Sequence, residues 1–501
     1  MHKWLAGLVA LAVVAVGGVT AGAEAVVDSP AATTVRGTVG MGGALPNGDS
    51  IYAPALSNDG RYVTFTSHAS NLVPGDTNGV EDAFLYDRRT GTTERVSVSS
   101  DGTQGNLASV FPVISTDGRY VGFFSNANNL VPDTDKNGPY KPDVYLRDRK
   151  TNTTILVSHT SAGVTGNGYS VDAQISLDGR YLAYFSNATN IVAGDTDGLY
   201  DIYVYEISTG MTTRVPVGSE IPLASLFIGT GNSSSGDDQH PVISADGRFV
   251  AFQSSAKNLV VGDTNNMFDV FVHDRLLLTT RRVSVDAAGG QANNHSAAAA
   301  ISADGRFVAF HSGATNLVPL DTNNVLDVFV KDMVTGLVVR LTGLGAVQGN
   351  GDTINASMDA SGRLVAATTA ATNLVSGGDT TGAAYDAIVW NVATGSVSRV
   401  SVNTAGQQAN GASVNTVLSP DGLLAAFISG GTNVVPGDTN GFDDVYLRDS
   451  LGKVIDLVQN PPDPGPIPPD VPDVPDVPDV PGCVFFDPFN TTINQIINCL
   501  T

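Results

Sequence analysis

Short apolar runs broken by turn-forming residues recur along most of the chain. One set of four is Pro112-Val113-Ile114, Tyr120-Val121-Gly122-Phe123-Phe124, Val144-Tyr145-Leu146 and Ile155-Leu156-Val157. Runs this short, rich in β-branched and aromatic residues and bounded by Gly, Asn and Asp, predict strands, and nothing in the set has a helical period. The second run returns as Phe249-Val250-Ala251-Phe252 and Phe307-Val308-Ala309-Phe310. It is apolar on both sides of the strand and so needs cover on both faces.

An S-x-D-G-R-like signature marks seven copies of this set: Ser57 to Arg61, Ser115 to Arg119, Ser176 to Arg180, Ser244 to Arg248, Ser302 to Arg306, and the degenerate Asp359 to Arg363 and Ser419 to Leu423. The copies lie about 60 residues apart, with one Gly- and Ser-rich insertion around Pro216 to Ser235 that reads as a loop. Asp-Gly between the first two runs predicts a two-residue hairpin turn. Four antiparallel strands per copy, greasy on both faces, predict an all-β fold: a seven-bladed β-propeller of four-stranded antiparallel blades, followed by a Pro-rich linker and a small C-terminal tail. An open stack of sheets is the alternative. Two segments compete to supply the fourth strand of the last blade, Thr34 to Gly40 and Val454 to Val458.

The run V-I-S-x-D-G-R-Y-V-A-F-x-S followed by D-V-F-V-x-D resembles the TolB-like propeller repeat, related to WD-type propellers, over about residues 30 to 458. The resemblance is specific for fold. It implies little about activity, because such propellers include envelope accessory proteins, protease-associated propellers and other binding modules. This chain departs from the simplest repeats in its longer loop between strands two and three.

The ends of the chain differ from its body. Residues 1–25 begin with His2 and Lys3, continue through an apolar run from Leu5 to Val19 and end in Ala21, Ala23 and Ala25, the pattern of a cleaved export signal, with an uncleaved anchor as the alternative. The propeller is expected over 30–458. Residues 459–482 carry the repeated Pro-Asp-Val of an extended spacer. Residues 483–501 hold the only two cysteines, Cys483 and Cys499, expected to pair in an oxidising compartment, with intermolecular pairing or free thiols as alternatives. Localisation is accordingly read as secreted: extracellular, periplasmic or cell-surface. The formal charge of −23 argues against nucleic acid and anionic lipid. No segment after the signal is long and apolar enough to span a bilayer. The chain is expected to act as a monomer with a protein or glycan partner.

Candidate chemistry concentrates in the loop after strand two, N-L-V-P-G-D-T-N-G-x-x-D. It supplies Asp76, Asn78 and Asp82 in blade one, Asp195, Asp197 and Asp201 in blade three, Asp263, Asn265 and Asp269 in blade four, Asp321, Asn323 and Asp327 in blade five, and Asp438, Asn440 and Asp444 in blade seven. Blade two reads Asp133, Asp135, Asn137 and Gly138 with Asp143 beyond, matching the opening of a calcium loop. These side chains either converge on Ca²⁺, the one cofactor the sequence suggests, or cap their own turns through Asx hydrogen bonds. Blade six, with Asp379, Thr381 and Asp386, is degenerate. Asn266 and Asn324 replace Gly79, Gly198 and Gly441 at what reads as a left-handed backbone position. The loops after strand four carry Gly-x-Gln-x-Asn-like sequences, such as Gly102 to Asn106 and Gly406 to Asn410, read as sugar-binding amides or as turn residues. No nucleophile elbow, zinc spacing or P-loop is present, and the histidines fall at different phases of the repeat. The reading is a secreted, non-catalytic binding scaffold. The alternatives are a glycan-active propeller enzyme and a calcium-stabilised surface module.

Overall fold

The computed structural model describes residues 33–132, 138, 141–196, 198–215, 241–341, 347–382 and 384–449. The expected signal, spacer and cysteine segment lie outside these residues, as do Val454 to Val458, Cys483 and Cys499.

The described strands form seven four-stranded antiparallel sheets. In blade one they are Ser50–Leu56, Tyr62–Ser67, Asp82–Asp87 and Thr92–Arg95. Blades two to six repeat this meander. Blade seven takes three strands from Ser413–Leu418, Leu424–Ser429 and Asp444–Asp449 and its fourth from Thr34–Arg36, which pairs Val35 with Leu447. The N-terminal candidate therefore closes the ring. One chain end hydrogen-bonded into the other end's blade leaves no unpaired strand at the seam.

Seven apolar clusters fill the seven spaces between blades. The one at the seam joins Phe65 and Phe84 of blade one to Leu424, Val445 and Leu447 of blade seven. The other six join blade one to two, two to three, and so on to six and seven. This explains the two-faced second strands: Val63, Phe65, Thr64 and Thr66 are all buried, because each face meets a neighbouring sheet.

The hairpin between strands one and two differs from the expected two-residue turn. Ser57 and Tyr62 form the closing pair, leaving the four-residue loop Asn58 to Arg61. A two-residue turn of the Asp-Gly kind requires positive φ at both residues, whereas here Gly60 has φ +64° and Asp59 is not among the positive-φ residues. Asp59 instead accepts from the Arg61 N–H and the Ser57 hydroxyl, and Ser57 Oγ accepts from the Tyr62 N–H. The signature's glycine has a second role in blade two, where a Cβ on Gly118 would lie 2.2 Å from the Tyr62 ring of the preceding blade. Its arginine reaches the last residue of strand three: Arg61 donates to both oxygens of Asp87 at 3.0 and 2.7 Å. The same two-pronged pair joins Arg119 to Asp148, Arg248 to Asp274 and Arg306 to Asp332.

Candidate functional site

Connections in a meander alternate between its two ends, so the loops after strands two and four share one face of the disc. The acidic loops lie there. In blade one, Asp76 and Asp82 face the guanidinium of Arg95, the last residue of strand four, at 3.3 Å each. The arrangement repeats with Arg214 on Asp195 and Asp201 at 3.7 and 3.2 Å, Arg282 on Asp263 and Asp269 at 3.2 and 3.5 Å, and Arg340 on Asp321 and Asp327 at 2.5 and 3.4 Å. In blade six Arg399 pairs with Asp386 at 3.0 Å. In blade seven the closing strand provides the cation, with Arg36 2.9 Å from Asp438 and 3.2 Å from Asp444.

Burial pushes the strand-three carboxyls Asp82, Asp269, Asp386 and Asp444 above the usual range, and Asp327 up to about 6. Desolvation is the larger effect in each, and the arginine partly offsets it.

The asparagines form local turns. Asn78 accepts from the Val80 N–H, donates to Asp82 and donates to the Gly105 carbonyl in the loop after strand four. Asn265, Asn323 and Asn440 each donate to the corresponding Asp269, Asp327 and Asp444. The glutamine of the Gly-x-Gln-x-Asn loop also turns inward: Gln104 donates to Asp76 and Asp82 at 3.1 and 2.9 Å, and Gln408 to Asp379 and Asp386. In blades three and seven the phenols of Tyr203 and Tyr446 donate to Asp195 and Asp438.

In six blades an arginine thus supplies the positive charge these carboxylates face. Sequence reading overlooked it, although Asp82 to Arg95, Asp201 to Arg214, Asp269 to Arg282, Asp327 to Arg340 and Asp386 to Arg399 are equally spaced. Blade two departs: Leu156 occupies the register position of Arg95, and Asp143 accepts from the Ser158 hydroxyl at 2.7 Å. Asp133, Asp135, Asn137 and Asp197 lie outside the described residues. Among the described residues no group of three or more His, Cys, Asp or Glu side chains is arranged to hold a metal.

The expected left-handed positions are observed, with φ +56° at Asn266 and +55° at Asn324. The glycine before the first Asp is left-handed too, at Gly75, Gly194, Gly262 and Gly437, but blade five carries Leu320 there with φ +62° and 83% of its surface exposed. A Cβ in this conformation costs roughly 1–2 kcal/mol, and an exposed leucine recovers little of that. Leu320→Gly is therefore expected to stabilise the protein by about 1 kcal/mol, read as a higher denaturant midpoint at unchanged slope. A lower midpoint would show that Leu320 makes a compensating contact.

A second set of left-handed residues rings the axis. The first strands of the blades surround a central cavity of about 300 Å³, lined mainly by Ala, Val, Ile and Pro. Five of the first strands span six residues and that of blade one seven; all six begin with Ser or Thr and then bulge. The residue in the bulge has positive φ: Tyr52 +64°, Phe111 +52°, Asp172 +57°, Ala298 +50°, Asn355 +55° and Asn415 +54°. Ser50 pairs with Ser67 at the end of strand two, so the bulges lie toward the acidic-loop face. The blade-four counterpart lies outside the described residues.

Three bulges are held from the preceding blade. The Phe111 N–H donates to Thr66 Oγ1 at 3.1 Å, that of Ala298 to Gln253 Oε1 at 2.9 Å, and that of Asn355 to His311 Nδ1 at 3.4 Å. Desolvation pushes the His311 imidazole down to about 4, keeping it neutral and able to accept at neutral pH. Tyr52 and Phe111 stack with ring centroids 4.1 Å apart, and Phe111 and Phe124 at 5.4 Å. No sequence period reveals this ring, because a bulge breaks the two-residue alternation from which strand faces are read.

No protein-family model matches the chain and no curated protein matches it. Solved structures are similar to it in fold. An oligogalacturonate lyase from Vibrio parahaemolyticus aligns at TM-score 0.46 and 13% identity, over 84% of this chain and 97% of its own. TolB from Acinetobacter baumannii aligns at 0.36 and 14%, over 78% and 81%. The β-propeller domain of the trilobed protease from Pyrococcus furiosus, described as having an open velcro topology, aligns at 0.47 and 8%, over 80% and 96%. The described residues form a seven-bladed β-propeller.

Proposed function

We propose that this is an exported, non-catalytic binding module that takes its ligand at the mouth of the central cavity, on the acidic-loop face. The observation that carries this reading is the ring of bulge residues. The positions around it repeat from blade to blade: Ser or Thr opens the first strand and in five blades bonds to its counterpart at the end of strand two, as Ser109 does to Ser125 at 2.8 Å. The bulge residues vary, with only Asn355 and Asn415 alike. Tyr, Phe, Asp, Ala and Asn occupy equivalent positions in a backbone conformation unfavourable for most of them, and strain held at non-equivalent residues around one opening fits recognition better than folding. In six blades an arginine faces the acidic loop and offsets part of its negative charge, which favours the reading of these loops as structural turns over calcium sites. Among the described residues no helix is long and apolar enough to cross a membrane.

The test is retention of solubilised cell-envelope components on immobilised protein. Components held by the wild type are expected to be lost from the double variant Tyr52→Asn, Phe111→Asn and kept by Arg89→Asn, on the opposite face. Equal retention by both variants would place the site elsewhere, and conversion of a retained component to smaller products would overturn the non-catalytic reading.

A further inference from the structure

The cavity mouth is chemically lopsided. Blades one and two present Tyr52 and Phe111 as a stacked pair with an interplanar angle of 29°, and Phe111 is backed by Phe124 at 16°. Tyr52 is 38% exposed, and burial together with the Glu81 carboxylate raises its phenol. Blades six and seven place Asn355, Asn415, Ser357 and Thr416 around the same cavity, and blade three adds Gln174. Asp172 stands at the bulge position of blade three.

We infer that this mouth receives the end of an uncharged carbohydrate chain. The inference rests on the proposed binding role of the mouth and names its ligand class. A pyranose ring has an apolar C–H face and an equatorial rim of hydroxyls, each both donor and acceptor. An aromatic pair gives the apolar face a flat partner, and carboxamides and hydroxyls can donate to and accept from the rim. The platform is rigid, since Tyr52 and Phe111 stand on bulges and the Phe111 bulge is tied to Thr66 of the preceding blade; ordering it on binding costs little entropy. A cavity of about 300 Å³ is at the small end of ligand sites, which span ~300–1,000 Å³, so it suits a chain end rather than a folded partner. Charge narrows the class further: Glu81 acts on Tyr52 and Asp172 occupies the blade-three bulge, and on a protein of charge −23 these carboxylates disfavour a uronate polymer.

Asparagine already occupies the bulge position at Asn355 and Asn415 with φ near +55°, so Tyr52→Asn and Phe111→Asn remove the platform without changing the backbone. The experiment is titration calorimetry of the full chain with cellohexaose, xylohexaose, N-acetylchitohexaose, oligogalacturonate and an uncharged peptide of similar length. At least one neutral oligosaccharide is expected to bind, oligogalacturonate to bind more weakly, and the double variant to lose roughly tenfold or more in affinity while melting like the wild type. Absence of binding by every neutral oligosaccharide, binding that the variant does not weaken, or preference for oligogalacturonate would each overturn the inference. If the peptide alone binds and the variant abolishes it, the carbohydrate assignment fails while the binding role of the mouth stands.

Discussion

Replacing Arg95 with Ala is expected to destabilise the propeller by about 3–5 kcal/mol, the range for removing one partner from a buried ion pair. Asp82 is fully buried and the Asp76 side chain is 5% exposed, so the truncation leaves two carboxylates facing each other with little water to screen them. Gln104 still donates to both, but an amide carries no charge. The loss should shrink as pH falls: burial already raises Asp82 above its ordinary value, so in the variant the folded protein takes up a proton that the unfolded chain takes up only at lower pH, which favours the fold. Adding Asp76→Asn and Asp82→Asn should recover most of the loss, since two neutral amides no longer repel. Urea unfolding of the single and triple variants at two pH values reads all three effects. A loss under about 1 kcal/mol would mean that the arginine is not what balances this loop.

Removal of residues 33–40 should have the larger effect, because it opens the ring. It deletes the strand paired to Asp444–Asp449, takes Arg36 from Asp438 and Asp444, and removes the Thr38 hydroxyl that donates to Asp444 at 2.7 Å. The orphaned edge strand then offers unpaired backbone groups to any passing chain. The truncated protein is expected to melt at a markedly lower temperature and to aggregate on heating. A synthetic peptide of residues 33–40 added in excess should restore the melt by rejoining the edge. Val454 to Val458 provides the contrary outcome: an unchanged melt would mean that this segment can close the blade in place of the N-terminal strand.

The architecture was legible because it depends on local and periodic features. Asp-Gly turns, short two-faced apolar runs and a recurring signature determine strands, blade number and the need for flanking sheets, and the left-handed glycine positions were visible from Asn266 and Asn324 standing in for glycine. The hairpin was misjudged in detail because Asp59 stabilises a four-residue loop through its own hydrogen bonds, and dipeptide identity does not disclose that closure.

What only the tertiary structure decided depends on distance in the chain. Which segment closes the ring was undetermined, because Thr34–Arg36 and Val454 to Val458 have the same strand character and pairing energy between remote segments is not encoded in either alone. The acidic loops were read as calcium loops or Asx turns because their charge partner lies on a strand two elements later, brought near only when the blade is assembled. The bulge ring was hidden most deeply: Tyr52, Phe111, Asp172, Ala298, Asn355 and Asn415 are of five residue types with no common signature, and only packing the first strands around one axis makes them neighbours.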